Sequence, residues 1–203
     1  WAEGVSAHEP HVSVFLIFGP QATTAWLHIA SLKRQELESR ANALVSLQPW
    51  NTIAVRQRLL HNDLWASDIE KQVIDATGGW AVLLDELISR CTTSEKAGKA
   101  IEDFQGEVRQ AGSKLARLFN EKLELNDGAA RRILQFISDE FGGSVTTDFL
   151  TPEFIDDKLN QDICDAALLY LERMACIKIQ RDESSGVFSV SVDPIVREMV
   201  VEP

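Results

Sequence analysis

The sequence has few cysteines, and no two of them form a Cys-x-x-Cys pair. The three present are Cys91, Cys164 and Cys176. An odd number of cysteines without a pairing motif argues against a disulfide framework and favours reduced thiols. We therefore expect a cytoplasmic protein in which these side chains pack in the interior.

A long apolar run is also missing. The run from Val12 to Phe18 contains a serine, is far too short to span a bilayer, and lacks the basic start of a signal peptide. We therefore expect neither membrane anchoring nor export. The chain starts at Trp1 rather than at a methionine and soon reaches this strand-like run, which suggests a fragment of a longer protein.

Basic residues are scarce relative to acidic ones. The chain has 20 lysines and arginines against 31 aspartates and glutamates, a net charge of -11. A field of this sign repels nucleic acid and anionic membranes unless the basic residues collect on one face. With 203 residues, of which 45% are hydrophobic, the chain is long and apolar enough to fold around a substantial core.

Signatures of catalysis are absent as well. No stretch has the form G-x-x-x-x-G-K-[ST], and the run ending at Phe18 is not followed by the acid of a Walker-B strand. No serine lies in a G-x-S-x-G elbow. His8 and His11 form only a loose pair, whereas zinc requires three or four convergent ligands. We expect this chain alone to have no catalytic residues, no metal site and no cofactor.

Helix signals dominate what is present. Asn51 is placed to cap one helix, and Ser67 with Glu70 has the spacing of a capping box at the next. Gly78 and Gly79 end that second helix, because glycine takes a left-handed C-cap without steric cost. A third helix presents one apolar face, formed by Trp80, Leu83, Leu84, Leu87 and Ile88.

A regular apolar seam follows the third helix. Its members, at alternating spacings of three and four, are Ile101, Phe104, Val108, Ala111, Leu115 and Leu118. They predict one long helix from Thr93 to about Leu125. The seam either packs along its own domain, which its short length favours, or pairs with a second chain as a coiled coil.

The last third of the chain predicts three helices followed by a β-hairpin. The helix signals are the capping pair Asn126-Asp127, the closing pair Gly142-Gly143, the start Thr151-Pro152 and the cap Asn160. The third of these helices should point Ile163, Ala167, Tyr170, Leu171 and Met174 inward. Two alternating strands, Ile177 to Arg181 and Val187 to Val192, precede a final helix near Asp193. This order predicts a winged helix-turn-helix domain.

The predicted winged helix is strongly acidic. From Gly128 to Pro203 it has seven basic residues against fourteen acidic ones, and its third helix presents Asp162, Asp165 and Glu172 outward. DNA affinity comes largely from lysines and arginines that neutralise phosphates, so we favour protein contact over DNA reading. The side chains available for the DNA alternative are Lys158, Arg173, Lys178 and Arg181.

A strand, a helical bundle containing TGGWAVLLDEL, a connecting helix and a winged helix together resemble the C-terminal half of a STAND-type or origin-recognition-type P-loop ATPase of the AAA+ group. The resemblance covers nearly the whole chain. It implies a mainly α fold with a small β component. Its segments are the end of an α/β ATPase core (1–44), a helical lid bundle (45–92), a long connecting helix (93–126) and a winged-helix domain (127–203).

The resemblance also implies a nucleotide contact. In such ATPases a polar sensor residue follows the strand before the lid, and Gln21 is the nearest candidate. In STAND proteins a Thr-Gly-Gly-x-Pro segment opens a lid helix near the nucleotide. Thr77, Gly78, Gly79 and Trp80 match this segment, and Ala81 replaces the proline. From the residues alone, the alternative is a glycine C-cap, a tight turn and a core tryptophan.

These patterns predict a noncatalytic lid and winged-helix region of a larger ATPase, whose Walker residues and ATP site would lie before Trp1. It would transmit the nucleotide state or contact a partner protein or the upstream ATPase domain. One alternative is a winged-helix DNA-binding regulator. Another is a scaffold that dimerises through the seam from Ile101 to Leu118.

Overall fold

The computed structural model describes residues 48–91, 94–110, 112–123, 125, 128–155, 159–181 and 186–200. The predicted strand Val12 to Phe18, the segment 1–44 and the capping pair Asn126-Asp127 lie outside these residues. The helices are α1 (Thr52–His61), α2 (Ser67–Thr77), α3 (Ala81–Arg90), α4 (Ser94–Val108), α5 (Lys114–Lys122), α6 (Gly128–Phe141), α7 (Pro152–Ile155), α8 (Gln161–Arg173) and α9 (Pro194–Val200). The strands are β1 (Ser144–Thr146), β2 (Ile177–Arg181) and β3 (Phe188–Val192), and a 3₁₀ turn covers Thr147–Phe149.

The described chain is mainly helical with one small antiparallel sheet, which confirms the predicted fold class at this level. Local capping chemistry sets several helix ends where the sequence predicts them. Asn51 caps α1 by accepting a hydrogen bond from the Ala54 amide at 3.0 Å, and Asn160 caps α8 through the Ile163 amide at 2.8 Å. Gly78 ends α2 in the left-handed conformation, with φ at +57°.

The predicted capping box at the start of α2 is wrong. Ala66 occupies the N-cap position without a side-chain cap hydrogen bond. Glu70 is committed elsewhere. It accepts two hydrogen bonds from the Arg56 guanidinium, at 2.7 and 2.8 Å, and one from the Trp65 indole at 2.7 Å. A guanidinium gives the carboxylate two hydrogen bonds and a full positive charge, whereas a capping box gives it one backbone amide, so the tertiary partner takes the carboxylate.

The predicted long helix is wrong at its middle. Between α4 and α5, Gly112 has φ at +69°, and Ser113 starts α5 by accepting from the Ala116 amide at 3.0 Å. A left-handed glycine followed by a capping serine breaks a helix even where apolar spacing continues across it. Most described seam residues are still buried within this chain, namely Ile101, Phe104, Val108 and Leu115. This burial confirms intramolecular packing of the seam.

The sheet has the strand order β1-β3-β2, with both pairs antiparallel. The hairpin of β2 and β3 matches its prediction within one residue, whereas β1 was not predicted because a three-residue strand carries no readable alternation. Val190 of β3 lies between Val145 and Ile179 of its neighbours.

On α8 the prediction of an inward Ile163 is wrong. Ile163 is 44% exposed and the adjacent Cys164 is fully buried.

One buried cluster extends from α1 to α9 and includes residues of all three strands. Helix α5 and the residue that follows it are hydrogen-bonded to the C-terminal helices of this cluster. The Asn120 side-chain amide donates to the Met199 carbonyl at 3.1 Å, and the Tyr170 hydroxyl donates to the Leu123 carbonyl at 2.6 Å. The predicted segment boundaries at 92 and 126 stay predictions, and the segments on either side of them share this core.

Within the described ranges, no helix is long and apolar enough to cross a membrane.

The carboxylate of Glu70 should make stability depend on pH. Its hydrogen bond to Arg56, followed by the one to Trp65, lowers the pKa of Glu70 from 4.5 to about 2. A lowered folded-state pKa stabilises the fold above the unfolded value, and this contribution is lost as the pH falls through the folded value. We expect Glu70→Gln to reduce the free energy of unfolding at pH 7, and the difference from wild type to shrink between pH 4.5 and about 2. Urea unfolding at several pH values measures this.

The matched control is Asp85→Asn. Asp85 accepts from Arg58 at 2.8 Å, but both side chains are exposed, so removing this ion pair should change stability little at any pH. If the free energy of unfolding of Glu70→Gln stayed below that of wild type by the same amount down to pH 2, the result would contradict the ion-paired state of Glu70.

Candidate functional site

The Thr-Gly-Gly-Trp segment forms the turn between α2 and α3. Gly78 is the C-cap of α2 and Trp80 is the N-cap of α3. Gly79 also has a positive φ, at +77°. Two successive glycines with positive φ turn the chain sharply between the two helices, a conformation that glycine adopts without steric cost. Thr77 is fully buried and Trp80 is 7% exposed.

The amides of this turn are used within the protein. Gly78 N–H donates to the Ile74 carbonyl at 2.8 Å, Trp80 N–H to the Thr77 carbonyl at 3.0 Å, and Gly79 N–H to the Thr77 hydroxyl at 3.3 Å. The Thr77 hydroxyl itself donates to the Val73 carbonyl at 2.8 Å. A phosphate at a helix start is held by free backbone amides. The amides of Gly78, Gly79 and Trp80 are therefore occupied within the protein, which favours the packing interpretation for these three residues.

The two glycines permit close approaches that no side chain would allow. A Cβ atom on Gly79 would lie 2.2 Å from the Trp50 carbonyl oxygen, and the Gly79 carbonyl accepts from Trp50 N–H at 2.7 Å. A Cβ atom on Gly78 would lie 2.7 Å from Cγ1 of Ile195 in α9. The turn is thus in contact with the segment before α1 on one side and with the last helix on the other.

Trp80 connects this turn to the C-terminal part of the chain. Its ring packs edge-on against Phe119 of α5, with the centroids 5.3 Å apart. Its indole N–H donates to Oδ1 of Asp193 at 3.2 Å. The same oxygen caps α9 by accepting from the amides of Ile195 and Val196, at 3.0 and 3.2 Å. One carboxylate therefore receives both the indole of the turn and the start of α9. The sequence signalled the Asp193 cap but not its indole partner.

The remaining residues predicted for nucleotide or DNA contact do not form one described site. Gln21 and Lys158 lie outside the described residues. Arg173 is half-buried in the last turn of α8, and Lys178 and Arg181 are exposed on β2. Residues three positions apart on a strand point to opposite faces, so the pleat separates Lys178 from Arg181. The Arg181 guanidinium lies 5.8 Å from the centroid of the Phe188 ring.

A cavity of about 360 Å³ lies between α5, α6 and α9, and no sequence motif signals it. Its lining residues are Gly112, Ala116, Arg117, Asn120, Arg131, Gln135 and Met199. Arg117 Nε donates to the Gly112 carbonyl at 3.3 Å, and an Arg131 nitrogen donates to the Leu125 carbonyl at 3.2 Å. In these bonds, and in that of Asn120 to Met199, the polar side chains that line the cavity donate to backbone carbonyls of this chain. The cavity therefore lies where three helices meet, and its polar side chains hold those helices together.

The cysteines offer no reactive thiol. Cys164 and Cys176 are fully buried and Cys91 is half-buried, and all three are free. Burial raises the pKa of each thiol, which keeps it protonated and unreactive near neutral pH. The expected packing role is confirmed for the two buried cysteines. Among the described residues, no group of three or more histidine, cysteine or acidic side chains is arranged to hold a metal ion.

The fit of the turn against Trp50 can be tested with Gly79→Ala. A left-handed alanine costs about 1–2 kcal/mol, and displacing the Trp50 backbone should add roughly 1–3 kcal/mol. The control is Gly112→Ala, because Gly112 has a similar φ and no atom lies within 4 Å of the place that its Cβ would take. Gly112→Ala should therefore lose only the cost of a left-handed alanine, about 1–2 kcal/mol. Urea unfolding of the two variants measures the difference. Equal losses would contradict the close approach of Gly79 to Trp50.

Comparison with known proteins adds no family to this geometry. No protein-family model matches the chain, and neither a curated protein nor a solved structure matches it. The contacts of the described residues therefore carry the functional argument. Their central feature is the buried turn that binds α3 to the start of α9 through Trp80 and Asp193.

Proposed function

We propose that the residues from Gly128 onward form a winged helix-turn-helix. The order helix, strand, helix, helix, strand, strand supports this, together with the antiparallel arrangement in which β3 lies between β1 and β2. In that fold α8 occupies the position of the recognition helix, and β2 and β3 form the wing. The short β1 gives the sheet its third strand, which supports this proposal.

We further propose that this chain is the noncatalytic lid and winged-helix region of a larger STAND/AAA+-like ATPase. The observation that carries the proposal is the contact between the Thr-Gly-Gly-Trp turn and α9. Because Trp80 donates to the carboxylate that caps α9, a displacement of α2 and α3 strains the bond to the C-terminal part. A lid coupled in this way to a winged helix can pass a change in nucleotide state to a partner surface.

The start of α3 also accommodates the proline of the family segment. Ala81 is the first residue of the helix, the position at which proline is tolerated because its missing N–H has no intrahelical partner. Trp80 before it has φ at -66° and ψ at 118°, the extended conformation that a residue before proline adopts. ATP itself would be held by an upstream domain. Gln21 and the residues from Thr77 to Trp80 would then be the nearest parts of this chain.

Protein contact is the proposed output, rather than DNA reading. On α8, Asp162 and Asp165 are exposed, and the Asp165 carboxylate accepts from Gln161 at 2.8 Å. Acids in a recognition helix repel the phosphates that would have to surround it. The third possibility, a scaffold that dimerises through the seam, has little support, since the seam packs inside the chain.

The ATPase proposal is tested first by the coding sequence before Trp1. We expect it to encode a G-x-x-x-x-G-K-[ST] loop and, later, an apolar strand that ends in one or two acids, because these groups hold the phosphates and Mg²⁺. In the full-length protein, hydrogen exchange of α3 and α9 should then differ between the ATP and ADP states. Absence of the loop would contradict the proposal.

Titration of a fluorescent DNA duplex across salt concentrations separates protein contact from DNA reading. We expect no tight binding, and we expect Lys178→Ala and Arg181→Ala to leave the anisotropy curve unchanged. Lys71→Ala, on α2, is the control for a general loss of positive charge. Nanomolar affinity with a steep salt slope, weakened by the two substitutions on β2 but not by the control, would instead establish a DNA-binding regulator.

A further inference from the structure

Four phenylalanine rings form a chain from the core to the surface. Phe136 and Phe141 of α6 are half-buried against the core, with their ring centroids 5.4 Å apart. Phe149 lies 5.4 Å from Phe141, and Phe154 of α7 lies 5.5 Å from Phe149. We call these four residues the phenylalanine ladder.

The outer half of the ladder is open to solvent. Phe149 is 41% exposed and Phe154 is 52% exposed. Single exposed apolar side chains are common on proteins, but adjoining exposed rings mark an interaction surface. The rings are large and have few rotatable bonds, so a partner can bury them at a low cost in side-chain entropy.

The backbone around the ladder holds the exposed rings in position. Gly142 and Gly143, with φ at +65° and +99°, turn the chain from α6 into β1. Strand β1 is paired with β3, and the 3₁₀ turn that carries Phe149 follows it directly. Leu150, the next residue, is buried in the core. Phe149 thus lies between a strand of the sheet and a residue of the core, which fixes its position at the surface.

The sequence segment that carries the ladder is acidic, and the Arg197 side chain of α9 lies against its Gly143. No lysine, arginine or histidine occurs in the sequence between Arg132 and Lys158. Exposed acids accompany the rings: Glu140 lies one turn after Phe136 on α6, and Asp148 and Glu153 directly precede Phe149 and Phe154 in the sequence. In the described part of the chain, no ion pair engages these three carboxylates.

We propose that the phenylalanine ladder is the docking site for a basic amphipathic segment of a partner protein. Apolar side chains of the segment would pack on Phe149 and Phe154. Its lysines or arginines would lie against Glu140, Asp148 and Glu153 and over the ring faces, where cations are attracted to the π-electrons. This inference rests on the proposed role in protein contact and names the chemistry of the partner.

The same charges disfavour other occupants. A second copy of the chain carries a net charge of -11 and would bring the same carboxylates to the interface. Like charges placed together in an interface oppose association. Nucleic acids and anionic membranes are repelled for the same reason. A basic, partly apolar polypeptide can both pack on the exposed rings and pair with the exposed carboxylates.

Fluorescence anisotropy with three designed peptides tests the proposal. All have the same length and place leucine on one helical face, and the other face carries lysine, glutamate or glutamine. The protein variants are Phe154→Gln and the double variant Asp148→Asn with Glu153→Gln. Leu60→Gln on α1 is the control, because Leu60 is also 52% exposed but does not belong to the ladder. Circular dichroism checks that each variant is folded.

We expect the lysine peptide to bind wild type and Leu60→Gln equally, and Phe154→Gln about tenfold more weakly, since an anchoring aromatic carries much of the binding energy at an interface. The double charge variant should bind more weakly at low salt, and its deficit should fade as salt screens the carboxylates. The glutamate peptide should not bind.

Equal effects of Phe154→Gln and Leu60→Gln, or equal binding of the lysine and glutamate peptides, would overturn the proposal. Self-association of the wild-type protein that Phe154→Gln abolishes would also overturn it, in favour of a second copy. If the peptides do not bind as expected, the DNA titration and the upstream coding sequence still test the proposed function independently. A wrong partner chemistry for the ladder is therefore distinguishable from a wrong proposed function.

Discussion

The arrangement of the described chain depends on the indole of Trp80. Its ring packs on Phe119, and its N–H donates to Asp193. A buried indole nitrogen needs an acceptor, and a helix start needs a cap. Asp193 satisfies both requirements with one oxygen, because it also accepts from two amides of α9. Helix α3, helix α5 and helix α9 are therefore held in one mutual arrangement.

Backbone geometry permits this contact. Gly78 and Gly79 turn the chain between α2 and α3 with positive φ values and leave room for Ile195 and the Trp50 carbonyl. Any Cβ atom at Gly79 would overlap that carbonyl. A segment that looks like a nucleotide motif in the sequence is thus also a closely packed junction. In our proposal this packing is the physical basis for coupling a nucleotide-dependent lid to a distant surface.

Charge and exposed apolar area lead to the same functional proposal from separate observations. The exposed acids of α8 disfavour phosphate contact. The phenylalanine ladder combines exposed rings with exposed carboxylates, which suits a basic polypeptide better than DNA. Both surfaces belong to the C-terminal part, which is bound to Trp80 at the start of α3 through Asp193. In the proposed function, a change at the lid and a partner at the ladder act on one connected core.

The sequence by itself determined the helical content, the caps at Asn51 and Asn160, the left-handed end at Gly78 and the hairpin, because each depends on residues a few positions apart. The break at Gly112 also had a local signal, a glycine followed by a serine that can cap a helix. The regular apolar spacing across this point nevertheless predicted one continuous helix. Only the tertiary structure decided the partners of Glu70, the pairing of β1, the acceptor for Trp80 and the phenylalanine ladder. These features join groups from separate elements, and no local pattern encodes which elements will meet when a shared core is buried.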